Sequence, residues 1–186
     1  MKKTLIIILS VVGITAISFF LFAPTYLDQS KNKVSIAGPH SKNEWSDSIL
    51  FIADLHCDEL LWGRDLLKQI DYGHVDVPRM QQANMAFQVF TIVSKVPFGI
   101  NIEKNDGNSD QIAWLSFAQL RPPSNWFSIR RRALNQCEML HGFAKRSDGQ
   151  FRVISTQREL QQFIEDRKTN RILTAGMLGL EGAQPL

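Results

Sequence analysis

Charge of one sign, cysteine and histidine are all scarce in this chain, and each scarcity narrows what it can do. Across 186 residues the net charge is only +3, too small to argue for nucleic acid as a partner. The one basic run, Arg130-Arg131-Arg132, has no interleaved aromatic or glycine residues and reads as the solvated face of a helix. Two cysteines, Cys57 and Cys137, cannot build a disulfide framework. Cys57 points away from its polar neighbours and Cys137 falls on an apolar helical stripe, so both read as small core residues. Histidine occurs four times, as His40, His56, His74 and His141. Internal repeats and low-complexity tracts are absent.

What is present suits a globular domain on an attachment segment. Hydrophobic residues make up 44% and charged residues 21%, enough for a sizeable core. Lys2 and Lys3 precede Thr4 to Ala23, an uncharged run rich in Leu, Ile, Val and Phe. It has about the ~20-residue length that a helix needs to cross a bilayer. Cleavage as a signal peptide after Ala16-Ile17-Ser18, giving a secreted product, is the alternative. It would leave Phe19 to Phe22 exposed at the new terminus, so an uncleaved anchor is favoured. The lysine flank keeps the N-terminus cytoplasmic; in a bacterium this means a single-pass inner-membrane protein with its domain in the periplasm. The expected division is 1–23 anchor or signal, 24–47 polar linker and 48–186 domain.

The domain opens on its most informative segment. Residues 49–59 form an apolar strand that runs into Asp54, His56 and Asp58. Side chains two apart on a strand share a face, so the three polar groups are expected on one side at the strand's C-terminal end. An imidazole beside a carboxylate is the donor pair zinc accepts. His-x-Asp is a cheap motif, however, and recurs at His74 and Asp76. There Tyr72-Gly73 and Val77-Pro78 mark a turn, so His56 and Asp58 are taken as ligands. Asp54, His74 and Asp76 are taken as structural or supporting groups.

Periodicity places a helix over Glu59–Ile70 and a buried parallel strand over Met85–Val93. A helix over Asp110–Leu120 is expected to stop at Pro122-Pro123, and another to run over Ser124–Arg146. Phe151–Ile154 reads as a short strand. Thr156 to Glu159 has capping-box spacing and opens a helix to about Arg167. A last strand, Ile172–Leu180, delivers Glu181 between Gly179 and Gly182. Alternating strands and helices indicate an α/β fold. Parallel strands bring their C-terminal ends to one face, which would let Glu181 meet His56 and Asp58.

Three ordered blocks carry a resemblance: Asp54-Leu-His56-Cys-Asp58, then Gly73 to Arg79, then Leu178-Gly179-Leu180-Glu181-Gly182. From about residue 48 onwards the chain resembles the membrane dipeptidases, also called renal dipeptidases, peptidase family M19. The resemblance implies the N-terminal part of a metal-dependent (β/α)8 TIM barrel. It also implies hydrolysis of dipeptides through two zinc ions. His56 and Asp58 would bind the first, and Glu181 would bridge both. Gln184 stands where the family often has a histidine.

The family's remaining histidines, its substrate arginine and its proton-transfer aspartate lie beyond the Glu block, and a barrel of this type needs ~250 residues. His40 in the linker and His141 on a helix are not at strand ends and do not replace them. The expectation is therefore a fragmentary record or truncated product, holding at most one complete zinc site and inactive alone. An anchored module that binds metal or peptide without catalysis is the rival reading. The expected partners are a dipeptide and the membrane, with a homodimer left open and no nucleic acid.

Overall fold

The structure, a computed structural model, describes residues 2–34, 51–105 and 107–186. It begins with one long helix, α1 (Lys2–Lys31). Next come β1 (Ile52–Cys57), α2 (Val77–Gln82), β2 (Met85–Val93), α3 (Gln111–Ala118) and α4 (Pro123–Phe127). The chain finishes with α5 (Ile129–Arg146), β3 (Phe151–Val153), α6 (Gln157–Thr169) and β4 (Thr174–Glu181). The strands form one parallel sheet in the order β1-β2-β4-β3. A barrel wound strictly in sequence would place β3 between β2 and β4. Here β3 lies outside β4, and the described strands make an open sheet.

β2 is the centre of the sheet because nearly all of its side chains can be buried on both faces. On one face Phe90 packs with Phe151, Met80 of α2, and Leu140 and Phe143 of α5. On the other, Phe87 and Ala175 pack with Phe163 of α6. The helices start where the sequence supplies caps. Asp110 accepts the backbone N–H groups of Ile112 and Ala113. Thr156 and Glu159 form a reciprocal capping box at α6.

One buried cation ties the lower ends of β2 and β4 together. Arg167 of α6 donates to the carbonyls of Arg171 and Leu173, just before β4, and to both oxygens of Asn84, just before β2.

Three expectations are corrected. Glu59–Ile70 is not a helix: only Glu59–Leu61 form a 3-10 turn. The side chains of Glu59 and Asp65 instead accept backbone N–H groups of His74, Val75 and Leu67, a competition that favours irregular backbone. The helix expected over Ser124–Arg146 breaks at Ser128, whose extended backbone lets its hydroxyl cap α5 by accepting the Arg131 N–H. The segment expected to start the linker is helical, since α1 continues through Pro24 to Lys31. Proline there removes one helical hydrogen bond, but these turns pack on the domain. The rest of the linker lies largely outside the described residues, and His40 lies outside them.

Candidate metal centre at the ends of β1 and β4

The sheet carries three chemically capable side chains to one edge. β2 pairs with β4 from Phe87↔Ala175 to Val93↔Glu181, so Glu181 sits at the C-terminal end of β4. On the other side of β2, β1 ends at Cys57 opposite Phe90. His56 Nε2 lies 3.4 Å from Asp58 Oδ1 and 3.5 Å from Glu181 Oε2. One donor atom from each of the three falls within 4.8 Å of the others, and all three residues are exposed. Among the described residues the ion pairs of Asp58 and Glu181 are both with His56. Two carboxylates held this close repel unless a cation is shared.

Strict strand alternation does not produce this arrangement. Between Asp54↔Gln88 and Cys57↔Phe90 the register shifts, so Leu55 and His56 together face Val89. A bulge of this kind turns a side chain out of the regular pleat, and it falls at His56. Asp58 lies beyond the strand, as the N-cap of the 3-10 turn. Asp54 supports the bulge locally, its Oδ1 accepting the His56 backbone N–H at 3.2 Å.

Thr91 of β2 is a residue that the sequence reading missed. Its hydroxyl donates to Asp58 Oδ1, which leaves the second carboxylate oxygen for another partner. The available signal was the polar pair Gln88 and Thr91 inside an otherwise apolar strand. Gly179 serves the same corner: a Cβ there would come within 2.9 Å of Val89 Cγ1 and 3.4 Å of Thr91 Cγ2, so glycine lets β4 close on β2.

Cys57 sits between two of the acidic groups but faces inward. Burial, reinforced by the Asp54 and Asp58 carboxylates, pushes its thiol up to about 12. Both cysteines are free.

The second His-x-Asp goes elsewhere. Buried Asp76 caps α2 by accepting the Arg79 N–H and pairs with Arg79 Nε at 2.6 Å. That arginine in turn donates to the carbonyls of Tyr72 and Gly73. His74 is exposed, and its backbone N–H donates to Glu59 Oε1 at 2.8 Å. His141 is on α5. The cavity of about 420 Å³ between α1 and the loop around Arg64 contains none of the clustered residues.

No protein-family model matches the sequence, and no curated protein matches it. Among solved structures the chain resembles dipeptidase AC, a metallo peptidase of family M19. The TM-score is 0.50 at 22% identity, covering 73% of this chain and 36% of that one. Likeness at this identity establishes the fold: a parallel α/β sheet similar to part of a metallo-dipeptidase. The chain spans about a third of that neighbour's length.

Proposed function

We propose that His56, Asp58 and Glu181 hold a divalent metal, zinc by its donor set, in a membrane-anchored metallo-dipeptidase domain. One observation carries this reading: an imidazole and two carboxylates from β1 and β4 converge within 4.8 Å at the exposed C-terminal edge of a parallel sheet. One nitrogen and two oxygen donors make a three-ligand set, which leaves a position open as catalytic zinc sites do. Zinc bound there supplies Lewis-acid polarisation of a peptide carbonyl and lowers the pKa of water towards neutrality.

The chain's own residues have distinct parts in this reading. The bulge at His56 sets the imidazole, and the Thr91 hydroxyl orients the Asp58 carboxylate. The glycine at 179 seats Glu181 against β2. The exposed edge leaves room for a small substrate, and the likeness to a dipeptidase makes a dipeptide the substrate class. In this proposal α1 anchors the chain in the inner membrane with the domain, from about residue 48, in the periplasm. Its basis is a 30-residue helix whose most apolar stretch is not buried against the domain, behind Lys2 and Lys3.

The test is a zinc titration of the full chain in detergent, followed by a dipeptide hydrolysis assay. Stoichiometric zinc binding that Glu181→Ala abolishes supports the metal centre, and chelator-sensitive hydrolysis supports the peptidase. Zinc binding without hydrolysis is what the expectation of a chain inactive alone anticipates, and it would favour the metal-binding module over the peptidase. Absence of binding would refute the centre.

A further inference from the structure

We infer that the aromatic edge formed by α3 and α4, carrying Trp114, Leu120 and Phe127, rests in the lipid–water interface of the bilayer that α1 enters. The domain is then mounted against the membrane rather than suspended above it. This rests on the anchor part of the reading above and is independent of the metal centre.

The first observation is where α1 stops being bare. Before Phe20 every described residue but Gly13 is exposed; from there Phe20, Ala23, Pro24, Leu27 and Asp28 are half-buried or buried. Spacings of three and four put them on one stripe of the helix. The same rod is thus naked along its apolar part and docked along its last turns.

The docking is fixed by buried charge. Asp28 is only 5% exposed, and its Oδ2 lies 3.1 Å from Arg64 Nε. Arg64 pairs on its other side with Glu59, which is 4% exposed. The Gly73 N–H donates to the Asn32 carbonyl at 2.7 Å, and Asn32 Nδ2 donates to Asp28 Oδ1 at 2.7 Å. Gly73 has a φ of +78°, and the Arg64 guanidinium fills the space that a Cβ would need. Separating a buried ion set leaves uncompensated charge, so α1 holds one attitude against the domain.

That attitude fixes the level of α3. The Phe20 ring packs edge-on against Phe117 of α3 with centroids 5.3 Å apart, near the end of the apolar run Thr4–Ala23. Phe117 continues to Trp126 at 4.9 Å, and Trp126 to Phe127 at 6.2 Å. A chain of rings therefore leads from the anchor to Phe127, which is 87% exposed. Trp114, one helical turn before Phe117, is 67% exposed.

Contiguous exposed apolar surface marks a partner rather than solvent. Here it is continuous with the bare surface of α1, so the partner is the same bilayer. Tryptophan suits the headgroup level, where one end of the ring is apolar and the other wet. Arg130 and Arg131, both exposed, follow at the start of α5 and present cations to lipid phosphates.

The experiment places the full chain in nanodiscs of phosphatidylcholine and phosphatidylglycerol, with bromine on the acyl chains just below the headgroup. The wild type is expected to show more bromine quenching of tryptophan emission than Trp114→Phe, the difference being the Trp114 contribution. Phe127→Trp should add a quenched component, whereas a tryptophan placed at exposed Gln161 on α6 should add an unquenched one. Equal fractional quenching in wild type and Trp114→Phe, with no quenched gain from Phe127→Trp, would overturn the proposal. Failure of the chain to enter the discs would overturn the anchor and this inference together. A zinc titration of the same discs reports on the metal centre separately.

Discussion

The chain contains the same tripeptide pattern twice, as His56-Cys57-Asp58 and as His74-Val75-Asp76, and the two have different fates. In the first, a strand ends in a bulge and a turn, and histidine and aspartate meet a glutamate from another strand. In the second, the aspartate is spent on capping α2 and holding Arg79, while the histidine contributes its backbone N–H to Glu59. Spacing alone does not decide chemistry. What decides it is whether the local backbone leaves the side chains free and whether a third donor converges on them.

The sharpest way to break this comparison is to truncate the histidine or the aspartate of each copy. His56→Ala or Asp58→Ala should lower zinc affinity by more than the ~10–100-fold that loss of an outer-shell partner costs. His74→Ala should leave it unchanged. Competition against a chromophoric chelator measures both, and equal losses at His56 and His74 would show that the two copies are not distinct.

Asp76→Ala attacks the second copy where it is structural. Losing the cap costs about 1 kcal/mol, and a half-released Arg79 adds to it, for a total of roughly 2 kcal/mol. Chemical denaturation reads this, while zinc affinity should hold. Thr91→Val is smaller and acts on the first copy: with the hydroxyl gone from Asp58, zinc affinity should fall by about 10-fold at nearly unchanged stability. The smallest expected effect is none. With its thiol pushed up to about 12, Cys57 should resist alkylation near neutral pH in the folded chain and react once denaturant exposes it, as peptide mass mapping would report.

Much of the architecture was legible from local pattern. The strand Met85–Val93 is a near-continuous apolar run, and the capping box at Thr156 and Glu159 states its own helix start. Convergence of Glu181 with His56 and Asp58 followed from the rule that parallel strands end on one face. What escaped is non-local. The bulge at His56 depends on how β1 meets β2, and the Thr91 contact depends on which strand lies between β1 and β4. Helical continuation past Ala23 depends on a salt bridge to Arg64, distant in sequence. The missing helix after Glu59 shows leucines buried one by one from irregular backbone, which imitates helical spacing without forming it.

Arg167 fixes the register of the sheet at the end far from the proposed metal centre. A slip of one rung between β2 and β4 would turn Glu181 to the opposite face. Two rungs would restore the face but displace the carboxylate by ~6.6 Å, more than the 4.8 Å that spans the three donor atoms. No slip is small enough to be harmless. By grasping the backbone just before both strands, a buried arginine indexes β4 against β2 at its first residues, and the glutamate inherits its address from there.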